Sequence, residues 1–409
     1  MNIHVRLTFV LTAIAAVTAA FFSASAEAAV AAPSAPGARP STAAPAPATA
    51  TPAPTRPPAA APAPATGTPA ALAYVLPISG IIESHALVEA LEKGLAEAKK
   101  KKAGLIILRM NTPGGRVYVA DRIIKVLEKV DWAPVVSYVS GEDRRALSAG
   151  AYICLATQKI FMAPGSTLGA ATPYTRKGGT GSAQVDEKFT SAFRARFRSL
   201  AQTHGYPSAL ADAMVDGTTS VVQVFVDGKP MLVTDDEANR LQDEHKSDGK
   251  FKRGKVVNKP DKLITLTSDE ALEFKVCTAV VKDEKELLEK MGLAHYQVGE
   301  AKWITAWVEK TTKERKKRID DLLLSYRTNI QQAVAFDRQR TATILGSPQW
   351  KGATDGAMAC LKACARAILE LERLAKDERY DLFLDESGIK DLKSELDGAY
   401  RRLGALRNL

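Results

Sequence analysis

The run Gly104-Leu105-Ile106-Ile107-Leu108-Arg109-Met110 constrains the fold more than any other feature of the chain. A strand with one face in water alternates apolar and polar side chains, whereas this run is apolar on both faces. It fits a strand buried on both faces of a sheet. Comparable runs lie on either side of it: "LAYVLPISGII" before, then "APVVSYV" and "KIFMAPG" after. Between them, His85 to Lys102 and "VADRIIKVLEKV" place apolar residues at helical spacing. Strand, helix and strand at this spacing imply parallel βαβ units and an α/β fold.

Further along, a long helix runs from Lys188 through Ala201. "VVQVFVDGKPMLVT" reads as a hairpin turning at Asp227-Gly228. A polar, lysine-rich stretch follows to Lys262, giving a hairpin insertion over about 221–262. "LTSDEALEFKV" opens a helix with Thr267 or Ser268 as N-cap and acids in its first turn. From about Glu300 to the end the pattern is helical throughout. Pro348 and Gly352 mark the turn of a helical hairpin or coiled-coil arm.

Order is expected to begin near Leu72. Residues 1–28 read as a signal peptide: Arg6, an apolar stretch Leu7–Phe22, then the small residues Ala24-Ser25-Ala26. The apolar stretch is short for a bilayer-spanning helix, which needs about 20 residues, and no cysteine stands near the cleavage site. Residues 29–70 are almost wholly Ala, Pro, Thr and Ser, a composition that makes a disordered linker. The mature chain is therefore expected outside the cytoplasm, periplasmic or associated with the membrane surface. Its net charge of +10 does not argue for nucleic acid, because 46 acidic residues are interleaved with the basic ones. Cys154 and Cys277 sit in apolar surroundings as packing residues. Cys360 and Cys364 are one helical turn apart, with no nearby His to complete a metal site. No cofactor or metal is implied.

Two segments carry chemistry. Ser148 in "RALSAGAYICLAT" stands where a loop gives way to a helix, with small Ala149 and Gly150 behind it. A helix start leaves N–H groups free for a developing negative charge; read blandly, Ser148 is an ordinary N-cap. Asn111 to Arg116, "NTPGGR", follows a buried strand, and its paired glycines let a ligand approach the backbone. It is not a phosphate loop, since no Gly-Lys-Ser/Thr follows. Of the histidines His4, His85, His204, His245 and His295, none has a carboxylate pattern that would build a Ser–His–Asp triad. A lysine can act as base instead when burial disfavours its charged form. Lys188 starts a helix with Phe189, Phe193 and Phe197 behind it; read blandly, it is a solvated helix-start lysine.

Together "NTPGGRV", "ALSAGAYICLA", "IFMAPGSTLGAATP" and "LTSDEALEFKV" resemble the NfeD family, membrane-bound Clp-class serine peptidases similar to signal peptide peptidase A and the Clp protease subunit. The resemblance spans about Leu72 to Val298. It implies a crotonase/Clp-like βαβ superhelix over 71–299, followed by an all-α region over 300–409, with the subunits associating into a homo-oligomer. It also implies a Ser–Lys dyad cleaving peptides: the family serine falls on Ser148, and the family lysine, some 40 residues on, falls on Lys188. The oxyanion donors would be the backbone N–H groups of Gly115, Gly114 and Ala149. Apolar peptide substrates and a stomatin-like membrane partner follow from the same resemblance.

Three features depart from the family pattern. Long members carry transmembrane helices and a small β-barrel, where this chain has about 100 helical residues. The hairpin insertion is longer than in compact members. Acidic Asp186 and Glu187 precede Lys188 and favour a protonated amine. The expected function is an extracytoplasmic serine endopeptidase. The rival is a catalytically inactive scaffold that oligomerises and binds a partner through its helical arm. Acyl-CoA chemistry ranks last, because an exported protein meets little CoA. Sequencing the N-terminus of the cell-derived protein should find Glu27 or a residue slightly later; an intact Met1 on membrane-bound material would mean a retained anchor.

Overall fold

The computed structural model describes residues 71–173, 175–176, 183–184 and 187–405. The signal segment and the Ala/Pro-rich linker expected over 1–70 lie outside the described residues, as does Asp186. The chain divides into two units, residues 1–65 with 174–187 and residues 66–173 with 188–409. In the first, strands Thr175–Arg176 and Ala183–Gln184 pair as an antiparallel ribbon.

The second unit begins β1 (Leu72–Ser79), α1 (His85–Lys100), β2 (Ala103–Asn111), α2 (Val117–Leu127) and β3 (Val135–Val139). It continues with β4 (Arg145–Leu147), α3 (Ala149–Leu155), β5 (Lys159–Met162) and β6 (Thr167–Gly169). The ribbon strands are β7 and β8; after them come α4 (Glu187–His204), α5 (Ser208–Val215), β9 (Val221–Val226) and β10 (Lys229–Thr234). Then follow α6 (Asp235–Glu244), β11 (Phe251–Asn258), β12 (Thr265–Thr267), α7 (Ser268–Glu273), β13 (Ala279–Val280), α8 (Glu284–Lys290) and β14 (Gln297–Glu300). Three helices close the chain: α9 (Trp303–Thr341), α10 (Pro348–Ala375) and α11 (Glu386–Ala405).

One six-stranded sheet, ordered β13-β5-β3-β2-β1-β14, is parallel at every pairing. The apolar run of β2 is central, and its side chains alternate between two cores. Ile106, Leu108 and Met110 join Tyr74, Leu76 and Ile78 in a large core with α1, α2, α3 and α4. Leu105 and Ile107 join Ala73, Val75, Val136 and Tyr138 in a second core under α8. Each of these large side chains contributes about 1.5–3 kcal/mol on burial, so burial on both faces selects the parallel arrangement. A smaller sheet, β12-β6-β4, supports the start of α3.

The hairpin turns at Asp227-Gly228, both at positive φ (51° and 74°), as a two-residue hairpin turn requires. The polar stretch after it is not a loop, however. It forms α6 and a third strand, β11, on the other side of β9. At α7, Thr267 is the N-cap and forms a full capping box with Glu270. The turn between α9 and α10 is made at Gly346, Ser347 and Pro348, with Ser347 as N-cap. Gly352 instead lies inside α10 with nothing near its missing side chain.

Helix α9 spans 39 residues, about 58 Å. Its first turns belong to the main core: Trp303 donates to Glu97 at 3.0 Å and Trp307 lies under the Lys93 ammonium. Beyond them α9 pairs with α10 and α11 around a separate core that includes Tyr326, Ile330, Leu361 and Leu371. The charge run at its middle is mostly solvated, as in the i,i+4 pairs Lys313–Glu309 and Lys316–Asp320. Arg315 departs from that pattern: it is buried and reaches Glu89 at 2.7 Å. Among the described residues no helix is long and apolar enough to cross a membrane.

Glu97 accepts bonds from Lys101, Tyr74 and Trp303, and these hold its carboxyl down at about 2 from an ordinary 4.5. A lowered carboxyl stabilises the fold above its unfolded value and loses that contribution as pH falls. Stability should therefore fall from about pH 4.5 towards pH 2, and Glu97→Gln should flatten that part of the profile. Urea midpoints measured against pH check this; an unchanged slope in the variant would refute it.

Candidate active site

The loops after β1 and β2 leave the carboxyl ends of the parallel strands, where open α/β sheets bind ligands. They are laced together by backbone bonds. Ile82 N–H donates to Gly114 C=O (2.9 Å), and Arg116 N–H donates to Ile82 C=O (2.7 Å). On the other flank Thr112 N–H donates to Arg145 C=O (2.8 Å), and Leu147 N–H donates to Thr112 C=O (3.1 Å). The "NTPGGR" segment is thus pinned between Ile82 and the residues leading to Ser148.

Packing at this crossing admits only glycine. A Cβ on Gly115 would stand 2.0 Å from Ile82 O. One on Gly114, at φ +105°, would stand 2.5 Å from Ser148 Cβ and 3.2 Å from Ser148 Oγ. A Cβ on Gly150 would meet Thr112 Cγ2 at 2.5 Å, so this glycine lets α3 settle on the loop.

Ser148 itself is strained. Its φ of +54° and ψ of −118° lie where residues with a Cβ are seldom found. Its N–H donates to Gly169 C=O at 2.8 Å, and its C=O accepts Tyr152 N–H at 3.1 Å, closing the first turn of α3. Ser148 is the N-cap of α3 by position, but its side chain makes no capping bond, so the hydroxyl is not spent on the helix. The hydroxyl is held at a helix start beside two glycines.

The three backbone donors expected for an oxyanion differ in this geometry. Gly114 N–H is already engaged, donating to Thr112 Oγ1 at 3.0 Å. Gly115 is the bridge partner of Ile82, whose bonds run to the flanking Gly114 and Arg116. In parallel pairing this turns the Gly115 N–H away from Ile82. Ala149 is the first residue of α3, and the first N–H groups of a helix have no intrahelical acceptor. Sequence reasoning missed Thr112 and Gly169, which have no catalytic side chain to announce them.

Lys188 is exposed in the single chain, in the first turn of α4. Its helix is anchored to α3: Phe193 and Phe197 each place a ring centroid 5.0 Å from that of Tyr152. Tyr152 OH also donates to Asp121, which pairs with Arg196 of α4. Ser148 lies about 6 Å along α3 from this anchor, and Lys188 about 7.5 Å along α4. Thr190, two residues beyond Lys188, is buried with its hydroxyl unpartnered.

Other nucleophiles and bases are placed elsewhere. Cys154, Cys277, Cys360 and Cys364 are all free and buried, and burial pushes Cys154 and Cys277 up to about 12. His204 is pushed down by burial and lies against Tyr206; His85 pairs with Glu89 and Glu378, and His245 with Asp248. Among the described residues no cluster of His, Cys, Asp and Glu could hold a metal ion.

Strain at Ser148 has a measurable consequence. Ser148→Gly should be more stable than Ser148→Ala by about 1 kcal/mol, because glycine adopts this backbone without a steric cost. Equal thermal midpoints would show that the backbone relaxes at little cost.

Comparison with known proteins shows what the chain is similar to. Residues 72–255 match the family model of the NfeD1b N-terminal domain. The membrane protein NfeD1b of Bacillus subtilis (strain 168) is 30% identical over 240 residues, covering 59% of this chain and 45% of that protein. The membrane-bound protease PH1510 of Pyrococcus horikoshii is 33% identical over 147 residues, covering 35% of this chain and 32% of that protein. The chain thus spans less than half the length of these two relatives. A solved lysine-to-alanine mutant of the 1510-N membrane-bound stomatin-specific protease, in complex with a substrate peptide, has a TM-score of 0.42 and 24% identity. That likeness covers 56% of this chain and 91% of that one. The chain resembles the NfeD family, and the family match ends at residue 255, short of the three long C-terminal helices.

Proposed function

We propose that the chain is an extracytoplasmic serine endopeptidase with Ser148 as nucleophile and Lys188 as general base. The observation that carries this reading is the strained Ser148 at the start of α3, its hydroxyl making no capping bond, in contact range of Gly114. Such strain persists only where surrounding structure enforces it, and it concentrates at functional sites. A relative named as a membrane-bound protease supports the reaction class.

Ser148 Oγ adds to the scissile carbonyl carbon while its proton passes to the Lys188 amine. The carbonyl oxygen, now negative, is held by the N–H groups of Gly115 and Ala149. Lys188 then gives the proton to the leaving amine, and water releases the acyl group from Ser148 by the same route. Gly114 serves in this scheme by shape, since its N–H is engaged by Thr112. Because Lys188 is exposed in the single chain, the cover that a neutral amine needs comes from bound substrate or a neighbouring subunit. This fits a homo-oligomeric peptidase. The substrates we propose are apolar segments of membrane-associated proteins, with a stomatin-like protein as partner, in keeping with relatives named as membrane proteins.

A fluorophosphonate should label the full chain at Ser148, and Ser148→Ala should lower peptide turnover by about 10⁴-fold or more. Its stability should move by no more than about 0.5 kcal/mol, since no side-chain bond is lost. Lys188→Arg should also be inactive, because a guanidinium does not release its proton in proteins. Turnover retained in Ser148→Ala would sink the assignment and leave the scaffold reading; an active Lys188→Arg would remove only the base.

A further inference from the structure

Among the described residues, Ile344 is the most exposed large apolar side chain, at 82%, and its neighbour Leu345 is 59% exposed. Single apolar residues on a surface need no explanation, but here two stand side by side at the end of a long hairpin. They fill the turn between Thr341, the last residue of α9, and Ser347, the N-cap of α10. Ser347 N–H donates to Ile344 C=O at 3.1 Å and Gly346 sits at φ +79°, so the turn is closed and ordered. Half-buried Trp350 follows, its N–H held by Ser347 Oγ at 3.1 Å. Basic side chains surround this end. Arg338 is exposed in the last turn of α9 and Lys351 in the first turn of α10. Tyr380 meets Arg318 and Leu392 meets Tyr326, so α11 advances beside α9 toward the same end. It carries exposed Arg401 and Arg402 there. The exposed acids nearby are Asp355 and Asp397, while Asp337 is already paired with Arg340.

We propose that the α9–α10 turn docks on an anionic lipid surface, with Ile344 and Leu345 entering the headgroup region and the basic collar facing lipid phosphates. An apolar tip, a tryptophan beside it and basic residues behind it together match the layers of a membrane interface. Lysine and arginine near such a surface each add attraction, and their long stems let the charge stay at phosphate level while the tip goes deeper. Insertion stops at that level, because a turn leaves backbone groups that need water. This agrees with the finding that no described helix can cross a membrane. A second copy of the chain fits the tip less well. Two side chains cover far less than the roughly 800 Å² per partner of a stable protein interface. The collars of two copies would also repel each other. The proposal is independent of the peptidase reading, since the arm lies beyond the family match.

The test is co-sedimentation of the full chain with vesicles of phosphatidylcholine, alone or mixed in equal parts with phosphatidylglycerol. The wild type should bind the mixed vesicles at least about tenfold more tightly than the neutral ones, and added salt should weaken that binding. Ile344→Asp with Leu345→Asp should weaken binding to the mixed vesicles by about tenfold or more. Arg338→Gln with Lys351→Gln should weaken it by about fivefold for each charge removed. The thermal midpoint of both variants should hold, because all four side chains are exposed. A wild type that ignores the mixed vesicles, or that binds neutral ones equally well, overturns the proposal. So does an aspartate variant that binds like the wild type, which would move the contact to another part of the chain such as the apolar stretch Leu7–Phe22. An aspartate variant that is a smaller oligomer than the wild type without vesicles would instead make the tip an interface between copies, and overturns it too.

Discussion

The backbone crossing at Ile82 and Gly115 is the constraint on which the rest of the site depends. A Cβ at Gly115 would sit 2.0 Å from a carbonyl oxygen that is itself bonded to Arg116 N–H. No side-chain adjustment relieves such a clash, because every atom involved is main chain. The crossing brings the loop after β1 onto the loop after β2, and Thr112 then carries the same lacing to β4 and Ser148. Removing the glycine would separate those loops. The large apolar core reaches into this layer through Ile82, Ala146 and Ala149, so its upper edge would be disturbed as well.

Ser148 shows how the lacing is used. Its backbone conformation costs on the order of 1–3 kcal/mol. Three backbone bonds oppose that cost directly: Ser148 N–H to Gly169, Tyr152 N–H to Ser148, and Leu147 N–H to Thr112. At about 1 kcal/mol net each, they are of the same size as the strain they hold. The residue is therefore poised near balance, fixed only while all three neighbours are in place.

The α/β core was legible because burial on both faces leaves a pattern that local propensity cannot mimic, as in Leu105 to Leu108. Gly114, Gly115 and Ser148 were legible as a loop and a helix start; the engagement of Gly114 N–H by Thr112 was not, because a threonine hydroxyl turning onto its own loop leaves no spacing to read. Strand β11 was missed because its alternation is broken by register shifts between Arg253 and Val256 and again before Asn258. Lysines on its exposed side also dilute the apolar signal. Gly352 was misread as a turn: an exposed helical glycine costs about 1 kcal/mol against alanine, and the packing of α10 against α9 overrides that.

The contact between Asp381 and Arg116 belongs to a different category, since no local pattern in either segment points to the other. It becomes visible only once α9 has turned the chain back over α1. That return is secured at Glu97, Ser84 and Glu89, which take Trp303, Thr312 and Arg315 in successive stretches of α9. At about 100° per residue Trp303 and Thr312 leave α9 on opposite sides, so the contacts grip the helix from more than one direction. The Glu378 and Asp381 pairs add further ties, to α2 and to Arg116, the residue that follows the glycine loop. The charges that help seat the arm thereby reach the loop of the candidate chemistry.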